Sequence, residues 1–215
     1  MRRVAFYGGS FDPVHKGHLE IAQRLIGAFK LDEFVFIPAF HAPHKRQMRP
    51  TSPYDRYAML TLATSDFEKI KVSKIELENP KEPYTIQTLT RLKKQLPSTQ
   101  IFFVMGADSW QEITTWRDWQ QVLSLVNIIV VTRPGYNITF EHVTGTIRDR
   151  IFDFRGQNKI DIEDPKQRIY ITDAVYVDAS ATRIREMVKA NDPSWQSFVP
   201  AIVADYIVKY GLYLE

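Results

Sequence analysis

The chain of 215 residues contains no cysteine. That removes disulfides, a thiolate nucleophile and every cysteine-based zinc site, and it suits a reducing compartment without establishing one. Long apolar runs are also missing. No stretch approaches the roughly 18 uninterrupted apolar residues that a membrane span requires, and no apolar run follows Met1-Arg2-Arg3. A cytoplasmic protein with no membrane partner is therefore expected. Nor is there a strong excess of one charge: 28 Lys and Arg face 25 Asp and Glu, a net charge of +3. This is too mild for a nucleic-acid partner, which calls for a strongly basic face or helix. Internal repeats and low-complexity tracts are absent. Asn137-Ile138-Thr139 fits the glycosylation pattern, but with no secretory signal it reads as a chance match.

With 44% hydrophobic residues the chain can bury a core without covalent staples. Its order of elements points to an α/β protein. Arg3–Tyr7 reads as a strand running into glycines, and Leu19–Ile26 has helical apolar spacing. Phe34–Pro38 is a near-continuous apolar run of the kind found in parallel strands covered on both faces. Ser52-Pro53 caps a helix that reaches about Thr64, and Ile70–Leu77 alternates as a strand. Thr85–Leu96 reads as a helix, Ile101–Met105 as a strand, Thr115–Leu125 as a helix and Ile128–Val131 as a strand. The expectation is a doubly wound, Rossmann-like parallel sheet with helices on both faces. One domain should span residues 1–215. Residues around 135–166 read as an irregular insertion within it. Ile169–Val177 then reads as strand around a turn at Thr172-Asp173. A C-terminal helical portion around 180–215 follows, with helices over Ser180–Lys189 and Pro200–Tyr210 and Gly211 as the final cap.

In such sheets ligands bind at the carboxyl ends of the strands, so the loop Gly8–His18 after the first strand is the first candidate site. Gly8 and Gly9 let the backbone approach a ligand, and the following helix N-terminus favours an anion such as phosphate. The spacing matches neither G-x-G-x-x-G nor the P-loop. His15 and His18, three apart at a helix start, present both imidazoles on one side. A lone histidine is most often a satisfied structural residue, but two beside a glycine loop point to function. A metal reading stays open: His15, His18, Asp12, His41 and His44 could supply ligands. Against it, Pro43 keeps His41 and His44 off a regular helix, and no further ligand falls at a recurring spacing, so no metal site is assigned. Asp108 follows a strand and a glycine, again a site position, whereas Trp116 and Trp119 at helical spacing have an ordinary core reading as well. Arg46 and Arg49 read most simply as solvated loop charges.

The run Gly8-Gly9-Ser10-Phe11-Asp12-Pro13-Val14-His15-Lys16-Gly17-His18 resembles the G-x-F-x-P-x-H-x-G-H signature of the nucleotidyltransferase superfamily. Ser180-Ala181-Thr182-Arg183-Ile184-Arg185 resembles its second signature, Ser-Ser-Thr-x-Ile-Arg, with alanine at 181 in place of a hydroxyl. Nearly the whole chain is similar to the bacterial nicotinate mononucleotide adenylyltransferases. The likeness includes Pro43-His44-Lys45, Tyr84-Thr85-Ile86, Gly106-Ala107-Asp108-Ser109, Thr115–Trp119, Arg133-Pro134-Gly135-Tyr136 and the tail from Val199 to Tyr213.

The resemblance implies transfer of AMP from ATP to nicotinate mononucleotide, giving nicotinate adenine dinucleotide and pyrophosphate for NAD biosynthesis. By the same likeness Gly8, Gly9, Ser10, Phe11, His15, His18, Ser180, Thr182 and Arg185 face ATP. His44, Lys45, Thr85, Gly106, Asp108, Trp116 and Arg133 belong to the mononucleotide side, and Lys45 also reaches the ATP phosphates. The catalytic set is then His15, His18, Lys45 and Arg185, with Mg²⁺ arriving on ATP rather than in a protein cage. Other readings are adenylyl or cytidylyl transfer to a different phosphate acceptor, a metal-dependent hydrolase, and a regulatory module that senses ATP without turnover.

Overall fold

The computed structural model describes residues 1–40, 51–81, 84–132, 137–156, 167–173 and 180–214. The chain runs β1 (Arg2–Gly9), α1 (Lys16–Ala28), β2 (Glu33–Pro38), α2 (Pro53–Ala63), β3 (Ile70–Val72), α3 (Thr85–Gln95), β4 (Thr99–Gly106) and α4 (Ala107–Gln111). A 3-10 turn at Ile113–Thr115 leads to α5 (Trp119–Leu125), β5 (Asn127–Val131), α6 (Gly145–Arg148), β6 (Ile151–Asp153) and β7 (Ile169–Thr172). Then come α7 (Ala181–Lys189), a 3-10 segment at Pro193–Phe198, and α8 (Ala201–Tyr210). The strands form one sheet in the order β3-β2-β1-β4-β5-β7-β6, and every neighbouring pair is parallel.

Because side chains alternate along a strand, the apolar runs feed two cores at once. Ala5, Phe34, Phe36, Phe102, Val104, Ile129, Val131 and Tyr170 face α1, α2, α7 and α8 through Leu25, Met59, Leu60, Ile184 and Val203. Val4, Phe6, Val35, Ile37, Ile101, Phe103, Met105, Ile128 and Val130 face α3, α4, α5 and α6 through Leu89, Trp110, Val122 and Ile147. Each fully buried Phe, Leu or Ile contributes about 1.5–3 kcal/mol, and two covered faces explain why these strands are apolar throughout rather than alternating. Ser52 Oγ accepts the Tyr54 N–H at 3.3 Å with Pro53 at the first helical position. Gly211, at φ 60°, caps α8 in the left-handed conformation. Both ends lie where the sequence places them.

Three readings change. The strand expected over Ile70–Leu77 stops at Val72. Beyond it Ser73 Oγ accepts the Ile75 N–H at 3.2 Å and Asn79 Nδ2 donates to the Ile75 carbonyl at 2.7 Å. These side chains offer the backbone a turn in place of a ladder, while Ile75 and Leu77 remain buried. The helix expected over Thr115–Leu125 begins only at Trp119. Thr115 Oγ1 donates to the Glu112 carbonyl at 2.7 Å, Trp116 is extended, and Asp118 sits at φ 52° before the first turn. Trp116 and Trp119 are therefore not on one helix. The segment read as irregular around 135–166 carries α6 and the edge strand β6 within its described part. It is anchored by Trp110, whose Nε1 donates to the Thr139 carbonyl at 3.0 Å and whose own carbonyl lies 3.0 Å from His142 Nε2. The strand expected to continue to Val177 is described only as far as β7; residues 174–177 lie outside the described residues.

Candidate active site

The chain leaves β3, crosses through α3 to the opposite face and re-enters the sheet as β4 beside β1. The connections from β1 and from β4 therefore diverge to opposite sides, and the crevice between their carboxyl ends is the switch point at which such sheets take ligands. Gly8 and Gly9 close β1 on this rim, and Gly106 closes β4. Glycine is needed at position 9, where a Cβ would stand 2.9 Å from the Phe11 ring. Phe11 itself is buried, with φ at 49°. A left-handed non-glycine residue costs about 1–3 kcal/mol and persists only where its surroundings hold it.

His15 caps α1 from extended backbone and His18 occupies its first turn. The two imidazoles stack with centroids 3.6 Å apart and planes at 24°, so the pair does share one side. The His15 backbone N–H donates to His18 Nδ1 at 3.2 Å. With Nδ1 accepting, the proton of a neutral His18 ring sits on Nε2, which makes that atom a donor. His15 is buried and His18 only partly so.

Side chains from three distant segments brace this loop. Arg185 Nη1 donates to the Asp12 carbonyl at 2.6 Å across 173 residues, while its Nη2 lies 3.3 Å from Thr182 Oγ1. The two signature segments thus meet through the bond from Arg185 to Asp12. The buried Asp12 carboxylate accepts the Tyr213 hydroxyl at 2.8 Å through Oδ1 and the Thr51 N–H at 3.2 Å through Oδ2. Burial pushes the Tyr213 hydroxyl pKa up, and the neighbouring Asp12 charge adds to the shift. Arg56, on the buried face of α2, donates to the Ser10 and Ala39 carbonyls at 2.7 Å each and to the Thr51 carbonyl at 3.0 Å. Burial draws its pKa down, against the attraction of Asp12. Arg56 and Tyr213 carry no role in the sequence reading. Arg56 did leave a signal, since it falls at the i position of a stripe completed by Met59, Leu60 and Ala63, where an apolar residue is due.

On the β4 side, a Cβ at Gly106 would lie 2.5 Å from Asp108 Oδ1. The exposed Asp108 carboxylate folds back over that glycine and accepts the Ser109 N–H at 2.9 Å. Thr85 opens α3, and the Arg117 guanidinium lies 4.8 Å over the ring of the preceding Tyr84. That contact brings the α3 N-terminus and the Trp116-Arg117 segment together, with Trp116 half-buried. Glu76 accepts the Thr88 hydroxyl at 3.1 Å and the Phe40 N–H. Burial raises its pKa to about 7, against the lowering effect of these bonds and of Arg56. Ser180 caps α7, and Thr182 is exposed on its first turn. His44, Lys45 and Arg133, with His41, Arg46 and Arg49, lie outside the described residues. Among the described residues no group of three or more His, Asp or Glu side chains is placed to hold a metal ion, and no helix is long and apolar enough to cross a membrane.

Residues 6–187 match the family model described as cytidylyltransferase-like. The chain is 34% identical over 206 residues to "Probable nicotinate-nucleotide adenylyltransferase" of Tropheryma whipplei (strain Twist), covering 96% of this chain and 97% of the relative. It is 35% identical over 212 residues to the protein of the same name in Desulfitobacterium hafniense (strain Y51), covering 99% and 96%. Among solved structures it is similar to "Plasmodium falciparum nicotinic acid mononucleotide adenylyltransferase complexed with NaAD", with a TM-score of 0.73 at 18% identity, covering 99% and 98% of the two chains. At that identity the likeness speaks for the fold.

Proposed function

The chain belongs to the cytidylyltransferase-like family and, within it, to the nicotinate-nucleotide adenylyltransferases, and we propose that it transfers AMP from ATP to nicotinate mononucleotide in NAD biosynthesis. The observation that carries this reading is the 2.6 Å bond from Arg185 to the Asp12 carbonyl. It unites the two signature segments at the switch point of a parallel sheet, where a dinucleotide-sized product would lie across β1 and β4.

The nucleophile is a 5′-phosphate oxygen of the mononucleotide. Its second ionisation lies near pKa 6, so at neutral pH it is already an anion and needs no general base. A new bond forms from that oxygen to the α-phosphorus of ATP, the bond from the α-phosphorus to the bridging oxygen breaks, and the electron pair leaves with pyrophosphate. The protein's task is alignment of two anions and stabilisation of charge at the α-phosphate. His18 donates from Nε2 to that phosphate, His15 orients it, and Lys45 with Arg185 neutralises charge. Gly8, Gly9, Ser10, Phe11, Ser180 and Thr182 line the ATP side. His44, Thr85, Gly106, Asp108, Trp116 and Arg133 line the mononucleotide side.

Mg²⁺ would enter with ATP as part of the substrate and would offset the charge of its phosphates.

The test is pyrophosphate release with ATP, Mg²⁺ and a panel of acceptors. Nicotinate mononucleotide should be used with the highest kcat/KM. A higher value for phosphopantetheine would move the assignment to another acceptor, and zinc-dependent hydrolysis without acceptor would replace it.

A further inference from the structure

The strained Phe11 turn sits between two backbone carbonyls that arginines hold, Ser10 by Arg56 and Asp12 by Arg185. Arg56 is the less expected of the two. Only 1% of it is exposed, so it cannot touch a substrate, and a guanidinium stripped of water is costly unless its hydrogen bonds are replaced. They are replaced by three carbonyls from three segments: Ser10 of the phosphate loop, Ala39 beyond β2, and Thr51 before α2. If α2 needed only packing here, a leucine beside Met59, Leu60 and Ala63 would serve better. The planar fork does something else. The Ser10 carbonyl belongs to the peptide unit that precedes Phe11, so fixing that plane limits the rotation that sets the left-handed φ of Phe11. Four and seven residues later the same loop delivers His15 and His18.

We propose that Arg56 is a positioning residue for adenylyl transfer: it holds the Ser10–Phe11 peptide in its strained orientation and so sets where the His15–His18 pair stands, without meeting either nucleotide. This rests on the reading of the site given above.

The experiment uses the full chain. Wild-type pyrophosphate release with ATP, Mg²⁺ and nicotinate mononucleotide comes first, since its absence would overturn the functional reading alone. The role of Arg56 is then read separately, by amide hydrogen exchange and by kinetics. Arg56→Lys keeps the charge but has a single nitrogen that cannot span three carbonyls. Exchange within residues 9–18 should quicken by about tenfold or more while β4 and β5 keep their protection. kcat should fall by roughly 10-fold to 100-fold, the scale of a small misplacement of catalytic groups, with KM changing less. Added to His18→Ala, the lysine substitution should lower kcat by no more than about threefold further, because a residue acting through His18 has little left to lose. Arg56→Ala should regain part of its kcat on addition of guanidinium at concentrations well below denaturing ones. Should the lysine variant fail to fold, Arg56→Gln, which can reach one carbonyl, carries the same measurements. A folded variant with unchanged exchange in residues 9–18 and kcat within about threefold of wild type would overturn the proposal. So would losses that multiply in the double variant.

Discussion

The two rims of the crevice are built differently. On the β1 rim the loop Gly8–His18 is held by α2 through Arg56, by α7 through Arg185 and by the tail through Tyr213, over separations of 46, 173 and 201 residues. On the β4 rim Trp110 is tied to Thr139 and His142, 29 and 32 residues away, while the turns that carry Asp108 and Trp116 are closed over a few residues, by Asp108 to Ser109, Thr115 to Glu112 and Trp116 to Ile113. The first arrangement is held by the chain's own hydrogen bonds, the kind of support that stabilisation of a developing charge requires. The second exposes Asp108 and leaves Trp116 half-buried. On the proposed function, chemistry belongs to the braced rim and choice of acceptor to the other.

That division is tested hardest at His18. Replacing it by alanine should lower kcat by roughly 10²–10³, with ATP affinity changing far less; a variant keeping more than a tenth of wild-type kcat would take His18 out of the central role. On the other rim the expected effect is on selectivity. If the loop from Gly106 through Trp116 presents backbone N–H groups to the ring substituent, as the family likeness implies, a carboxylate accepts charge-assisted bonds from two of them, whereas a carboxamide turns an NH₂ against one and leaves a buried donor unpaired. Nicotinate mononucleotide should therefore be preferred over its amide by on the order of 10² in kcat/KM. Trp116→Ala should weaken both acceptors alike by removing a ring platform. Equal kcat/KM for acid and amide would remove the specificity claim and leave the transfer chemistry standing.

Smaller effects sharpen the contrast. Tyr213→Phe deletes one donor to the buried Asp12 carboxylate and should lower unfolding stability by about 1–3 kcal/mol. Denaturant titration measures this; no loss would mean that the tail does not brace the loop. Glu76 gives a pH signature. Its folded pKa is raised to about 7, so between the ordinary carboxylate range and about 7 the folded state binds the extra proton. The stability it contributes is present at low pH and lost as pH rises through that window. Glu76→Gln should therefore gain on wild type by about 1–2 kcal/mol between pH 5 and pH 8. A difference that stays constant with pH would show that Glu76 is ionised throughout.

Much of this was legible because it is local. Phe34–Pro38 announces a strand covered on both faces, and Gly8–His18 and Ser180–Arg185 carry their signatures in short runs. Ile70–Leu77 misleads because a turn buries Ile75 and Leu77 as well as a strand would. The Thr115–Leu125 period misleads because Asp118 at φ 52° breaks the helix between two tryptophans that match its spacing. The bracing was not legible: nothing near Asp12 in sequence points to Tyr213 or Arg185. Arg56 is the intermediate case, visible as a charge on an apolar stripe but mute about which carbonyls it would reach.

The bond from Tyr213 to Asp12 also has a meaning in time. A ribosome makes Asp12 early and Tyr213 201 residues later. The sheet can begin to assemble as its strands emerge, but the loop Gly8–His18 acquires the brace from Tyr213 only when that residue has left the exit tunnel. A nascent chain held short of residue 213 would carry this loop with one carboxylate oxygen of Asp12 still waiting for that donor.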